Sequence, residues 1–129
     1  MRIYIAGKFN EKQQIREHMN KLEELGHNIT HDWTSFETTK TGNEKMAESA
    51  VKDLHGVLNA DCLVCIMTDP DYAYRGTFSE IGAGLATNKI IIIINDDSDA
   101  YCTSNVFYHH PSIFHVKTWS EALLLLHKM

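Results

Sequence analysis

The chain has 129 residues, 43% of them apolar and 22% charged, with two prolines and a formal net charge of −5. That length suits one domain with a core of its own, and the composition excludes wholesale disorder. The acidic balance argues against a general affinity for nucleic-acid polymers, and it leaves room for a small anionic ligand held by one or two local cations.

The opening Met1-Arg2-Ile3-Tyr4-Ile5-Ala6 is too short and too β-branched for a signal peptide. No run approaches the length of a membrane span, so a cytoplasmic protein without membrane contact is expected. Arg2–Ala6 reads as a first strand ending at Gly7-Lys8-Phe9-Asn10. An amphipathic helix follows from Glu11 to Leu25, with Ile15, Met19, Leu22 and Leu25 on one stripe. Asn10 is its expected N-cap and Gly26 its expected C′ residue. His27–His31 reads as a short second strand. The polar stretch Asp32–Thr41, with Trp33 and Phe36 embedded, is expected to cross the sheet's carboxyl edge.

A second helix is expected from Glu44 to Asn59, its apolar stripe formed by Ala47, Ala50, Val51, Leu54, Val57 and Leu58, with Asp53 at the stripe's edge. Cys62–Met67 and Lys89–Ile94 are short, apolar, partly β-branched runs of the kind buried on both faces of a parallel sheet. Between them lies DPDYAYRGTFSEIGAGLATNK, an acidic, tyrosine-bearing loop followed by a helix. Asn95–Pro111 is a long polar loop, Ile113–Lys117 a last strand, and a final helix capped by Ser120 carries Leu123, Leu124 and Leu126. Strands alternating with helices predict an α/β, doubly wound parallel sheet of five strands. The flavodoxin-like order 2-1-3-4-5 places the switch point between the first and third strands, so residues 7–10 and 69–76 face one crevice.

Within that crevice Glu80 draws attention first. Thr77-Phe78-Ser79-Glu80 also fits the capping box S/T-x-x-E, in which Glu80 would merely bond the Thr77 backbone. Gly82 and Gly84 favour a functional role, because glycine within a helix is unfavourable by roughly 1 kcal/mol and suggests close approach of a backbone or ligand. Asp69 and Asp71 either turn the chain around Pro70 or supply a second carboxylate that acts with Glu80. Asp53 either binds hydroxyls or sits on a solvated helix face, and Asp61, at the amino edge, reads as structural. Lys8, with the backbone N–H groups after Gly7, could hold a phosphate. Trp33, Phe9, Tyr72 and Tyr74 either stack on a planar base or pack.

Cys62 and Cys65 point to opposite faces of one strand and, with Cys102, are expected to be buried, inert thiols. No Cys or carboxylate joins the pairs His27/His31 or His109/His110 at ligand spacing, so no metal is expected. No G-x-S-x-G elbow is present.

Three stretches carry a resemblance: Met1-Arg2-Ile3-Tyr4-Ile5-Ala6-Gly7, then Asp53-Leu54 with Ala60-Asp61, then Gly76-Thr77-Phe78-Ser79-Glu80-Ile81-Gly82-Ala83-Gly84-Leu85-Ala86. In this order they resemble the nucleoside 2-deoxyribosyltransferase superfamily, which includes deoxynucleoside 5′-monophosphate N-glycosidases. The resemblance implies that Glu80 is a nucleophile attacking the anomeric carbon to form a covalent glycosyl-enzyme. It further implies that Asp53 contacts the sugar and orients Glu80, and that Tyr4 and Gly76 lie at the same site. A homodimer or larger homo-oligomer, and the absence of any cofactor, are implied as well. The sequence departs from the pattern at Tyr74, where transferases carry an aspartate and monophosphate hydrolases a serine. It departs again at Lys8, a serine in the hydrolases, and in lacking the transferases' C-terminal carboxylate motif. A non-catalytic nucleotide-binding module and an NAD glycohydrolase are the alternative readings.

Overall fold

The computed structural model describes residues 1–129. Five parallel strands pair in the order β2-β1-β3-β4-β5: β1 Arg2–Ala6, β2 Asn28–Ile29, β3 Cys62–Ile66, β4 Ile90–Ile94 and β5 Phe114–Val116. Helices α1 (Lys12–Glu24), α2 (Gly42–Asn59), α3 (Arg75–Ala86) and α4 (Trp119–Lys128) cover the two faces. Tyr4 is in register with Leu63, and Leu63 with Ile91.

The alternation of side chains along each strand divides the core in two. Tyr4, Ala6, Leu63, Cys65, Ile91 and Ile93 pack beneath α2 and α3, together with Val57, Phe78 and Ile81. Ile3, Ile5, Cys62, Val64, Ile92 and Ile94 pack beneath α1 and α4, with Ile15, Met19, Leu22, Ala122 and Leu126. Cys62 and Cys65 thus fall on opposite faces, and both thiols are buried and held protonated, Cys62 pushed up to about 12 by burial and by Asp61.

Several boundaries differ from expectation, each for a local reason. A 3-10 turn over Phe9–Glu11 precedes α1, so Asn10 lies inside the turn and caps nothing through its side chain. Leu25 follows the last helical residue and is exposed, while Gly26 takes the expected positive φ of 92°. The second strand keeps only two residues, because it is the sheet's edge. α4 is capped by Thr118 rather than Ser120: Thr118 Oγ1 accepts the Glu121 N–H at 3.1 Å and Glu121 Oε2 accepts the Lys117 N–H at 2.7 Å. Leu124 faces solvent.

The largest departure is α2. Only Val57 and Gly56 of that helix are buried, while Ala47, Ala50, Val51, Leu54 and Leu58 are exposed. Asn95–Pro111 folds into two 3-10 turns, Tyr101–Ser104 and Val106–His109. It is tied to the acidic loop where the Tyr101 N–H donates to the Pro70 carbonyl at 2.8 Å. Asp61 accepts from the backbone and guanidinium of Arg2 at the amino edge of the sheet. No helix is long and apolar enough to cross a membrane.

Candidate active site

The carboxyl ends of β1 and β3 open onto a crevice of two lobes, about 350 and 220 Å³. Asp53, Gly76 and Glu80 line both lobes. Ala50, Leu54 and Ser79 complete the larger lobe. Tyr4, Gly7, Phe9, Trp33, Tyr72, Tyr74 and Thr77 complete the smaller. The doubly wound topology produces this placement, since neighbouring crossovers diverge at the switch point and leave a gap between them.

Glu80 is the sixth residue of α3, because the helix begins at Arg75 rather than at Thr77. The capping-box arrangement is therefore absent. Thr77 lies inside the helix, and the N-cap is Tyr74, in the left-handed region with φ 55° and no side-chain cap bond. Glu80 instead turns toward the sheet, where Oε2 accepts the Tyr4 hydroxyl. Burial pushes Glu80 up to about 8; the Tyr4 hydroxyl opposes this and the nearby Asp53 charge adds to it. Tyr4 is buried at 1% exposure, and its hydroxyl holds its proton far beyond the ordinary range through burial and the facing Glu80 and Asp53. It is a fixed donor.

Asp53 projects from α2 into the same space. Burial raises it above the ordinary carboxylate range, against the opposing pull of His31. His31 Nε2 lies 3.3 Å from Asp53 Oδ1, close enough for an ion pair but off the line that a hydrogen bond needs.

The acidic loop behaves differently. Asp69 pairs with Lys8 Nζ at 2.5 Å, accepts the Asp71 N–H at 3.0 Å, and donates its own N–H to the Tyr74 hydroxyl at 3.0 Å. The Lys8 ammonium holds Asp69 below the usual carboxylate range. Asp71 is exposed, and neither aspartate lines the crevice. The turn reading of these two residues therefore describes their geometry, and pairing with Glu80 does not. Lys8 also sits 5.0 Å from the centre of the Tyr72 ring, which meets Tyr74 edge-on at 4.8 Å. Tyr74 is buried, its hydroxyl pushed up to about 12 by burial.

The two helical glycines separate. A Cβ on Gly84 would meet Leu63 Cδ2 at 3.1 Å and Ile91 Cδ1 at 3.2 Å, so α3 does approach the sheet closely there. A Cβ on Gly82 would meet nothing within 4 Å, so no neighbouring backbone approaches α3 there.

Sequence reasoning passed over Gly56. A Cβ there would lie 2.7 Å from Tyr4 Cδ2 and 2.8 Å from His31 Cβ, so the missing side chain is what lets α2 close over both. Its signal was available: a glycine one turn from Asp53, beside the buried Val57. Trp33 is held over the crevice by its indole N–H, which donates to the Ile5 carbonyl at 2.7 Å. No group of three or more His, Cys, Asp or Glu side chains comes together as a metal site.

The family model described as nucleoside 2-deoxyribosyltransferase matches residues 3–119. The chain belongs to the nucleoside 2-deoxyribosyltransferase family. Among solved structures it is similar to a 2-deoxyribosyltransferase of Bacillus psychrosaccharolyticus, with TM-score 0.73, 20% identity, and coverage of 95% of this chain and 90% of that one. It is similar also to a CMP N-glycosidase of Clostridium botulinum, with TM-score 0.63, 19% identity and full coverage of both chains. A 2-deoxyribosyltransferase of Leishmania mexicana aligns with TM-score 0.67 at 15% identity, over 98% of this chain and 97% of that one. At these identities the likeness is one of fold. No curated protein matches the sequence significantly.

Proposed function

We propose that this protein cleaves or exchanges the N-glycosidic bond of a 2′-deoxynucleoside or its 5′-monophosphate, with Glu80 as nucleophile. The observation that carries the reading is the Glu80 carboxyl on the floor of the crevice, hydrogen-bonded to the Tyr4 hydroxyl and facing Asp53. Family membership supplies the reaction class.

Glu80 attacks C1′ of the deoxyribose. The C1′–N bond breaks, its electron pair leaves with the base, and an ester joins Glu80 to the sugar. Water, or an N–H nitrogen of a second base, then attacks C1′, passes its proton to the departed base anion and frees the carboxylate, giving net retention. Positive charge develops on the sugar in both steps and is stabilised by the ionised Glu80 and Asp53. Tyr4 holds one Glu80 oxygen and leaves the other to attack. Asp53 binds sugar hydroxyls and orients the nucleophile. Gly76 leaves the α3 turn open for substrate, and Phe9, Trp33 and Tyr72 flank the base, with the buried Tyr74 packed behind Tyr72, stacking being sequence-tolerant. Asp69 cannot serve as the acid for the departing base while Lys8 keeps it ionised. Lys8, on the loop after Gly7, would meet a 5′-phosphate only by giving up Asp69.

Incubation with each deoxynucleoside and deoxynucleoside monophosphate, with and without a free acceptor base, tests the reading, with NAD as a further substrate. Released sugar identifies a hydrolase and a new nucleoside identifies a transferase. Glu80→Ala is expected to lose all turnover with the fold intact. Tight binding of a nucleotide with neither product would instead favour a binding module, the reading that Tyr74 supports by standing where the family's enzymes carry an aspartate or a serine.

A further inference from the structure

We propose that His31 is a positioning residue that fixes the Asp53 carboxylate beside Glu80, an inference that rests on the glycosidic reading of the crevice. His31 does not line either lobe, and the chemistry above gives it no part. Yet its Nε2 is buried, has no hydrogen-bond partner in line, and lies 3.3 Å from Asp53 Oδ1. A buried ring nitrogen without a partner is costly, and the carboxylate is the group that offsets that cost. With the proton on Nε2, the imidazole engages Oδ1 and leaves Oδ2 free for the crevice.

The surroundings hold the ring in this place. Gly56 stands three residues after Asp53 on the same face of α2, and the space of its missing Cβ is filled by His31 Cβ and the Tyr4 ring. Phe36 meets the imidazole edge-on, 6.1 Å between centroids. The charged neighbours are Asp53 on α2 and Lys52, whose ammonium sits 6.0 Å over the Phe36 ring. Beyond Asp53 lies Glu80. One turn of α2 therefore locks together the two groups that flank Glu80: Tyr4 through packing at Gly56, and Asp53 through His31.

The test compares His31→Leu and His31→Gln in deoxynucleoside turnover, alongside ring 15N NMR spectra of His31 in the wild type and in Asp53→Ala. Leu is expected to lower kcat by about ten- to a hundredfold, the range seen when an orienting partner of a functional side chain is lost, with KM within about threefold. Gln places an amide nitrogen near the Nε2 position and is expected to restore most of kcat. In Asp53→Ala, which removes the acceptor, the His31 Nε2 resonance is expected to move from its wild-type position. Unchanged turnover in His31→Leu, equal losses in His31→Leu and His31→Gln, or an unmoved His31 Nε2 resonance in Asp53→Ala would each overturn the proposal. Should the wild type turn over no deoxynucleoside, the glycosidic reading fails. The His31 Nε2 resonance in Asp53→Ala still decides whether the pairing exists.

Discussion

Burial raises Glu80 to about 8, so at pH 7 the empty crevice holds roughly ten protonated carboxyls for each ionised one. Only the ionised form attacks carbon. The profile of kcat/KM against pH, which reports the free enzyme, is therefore expected to climb from pH 6 and level off only above about 8. Tyr4 donates to Glu80 and favours its charged form. Tyr4→Phe is thus expected to shift that limb to higher pH and to lower turnover at pH 7 more than at pH 9. A limb that stays in place would show that the hydroxyl does not tune the nucleophile. The same raised value governs stability. The folded chain keeps the Glu80 proton between the ordinary 4.5 and about 8, where the unfolded chain has lost it. Stability therefore falls as pH rises through that window, by up to about 1.4 kcal/mol per pH unit from this group. Glu80→Gln is expected to flatten the slope and to exceed the wild type in urea midpoint at pH 8.5, while the two variants converge near pH 5. Lys8 marks where legibility in the sequence ended at this scale. Its cationic character and its place after the first strand were plain, but its partner Asp69 is 61 residues away, and only the fold shows that the charge is already matched.

Among the elements, α2 and α3 position the crevice, and their glycines make opposite predictions. Gly82 has open space around its missing Cβ, so Gly82→Ala is expected to stabilise the protein by about 0.5–1 kcal/mol through helix propensity, without loss of turnover. Gly56 has none: a methyl group would press on the Tyr4 ring and on His31 Cβ. Gly56→Ala is expected to cost about 1–3 kcal/mol, the usual penalty of overpacking, and to lower turnover further by displacing Tyr4. Thermal melts of the two variants read both signs, and a stabilised Gly56→Ala would show that α2 shifts away freely. The capping-box alternative at Thr77 fails for a definite reason. Thr-x-x-Glu is a valid cap signal, but Tyr74 takes a left-handed backbone as the N-cap, and the helix begins two residues before Thr77. A tyrosine gives no local sign of that conformation, which glycine or asparagine ordinarily provides.

Across the whole molecule, the sheet order and the two-faced core were legible, because parallel strands buried on both sides write continuous apolar runs into the sequence. Tyr4, Asp53 and Glu80 come together through that order alone, from three elements far apart in the chain. What the sequence did not reveal was which apolar face stays open. The stripe on α2 has helical spacing and reads as core, yet Val51, Leu54 and Leu58 lie exposed with Met46 beside them, and Leu54 continues into the wall of the larger lobe. Periodicity reports that a face is apolar, not what covers it. A homo-oligomer joined along α2 would cover the stripe and complete the lobe's outer wall. Sedimentation is then expected to give a dimer or larger for the wild type. For Val51→Asp, which places a charge in the middle of the stripe, it is expected to give the single-chain mass of 14.7 kDa. Turnover should fall with the loss of assembly, because the larger lobe would open to water. A wild type that sediments at 14.7 kDa at all concentrations would remove the shared wall and leave the crevice to work from one chain.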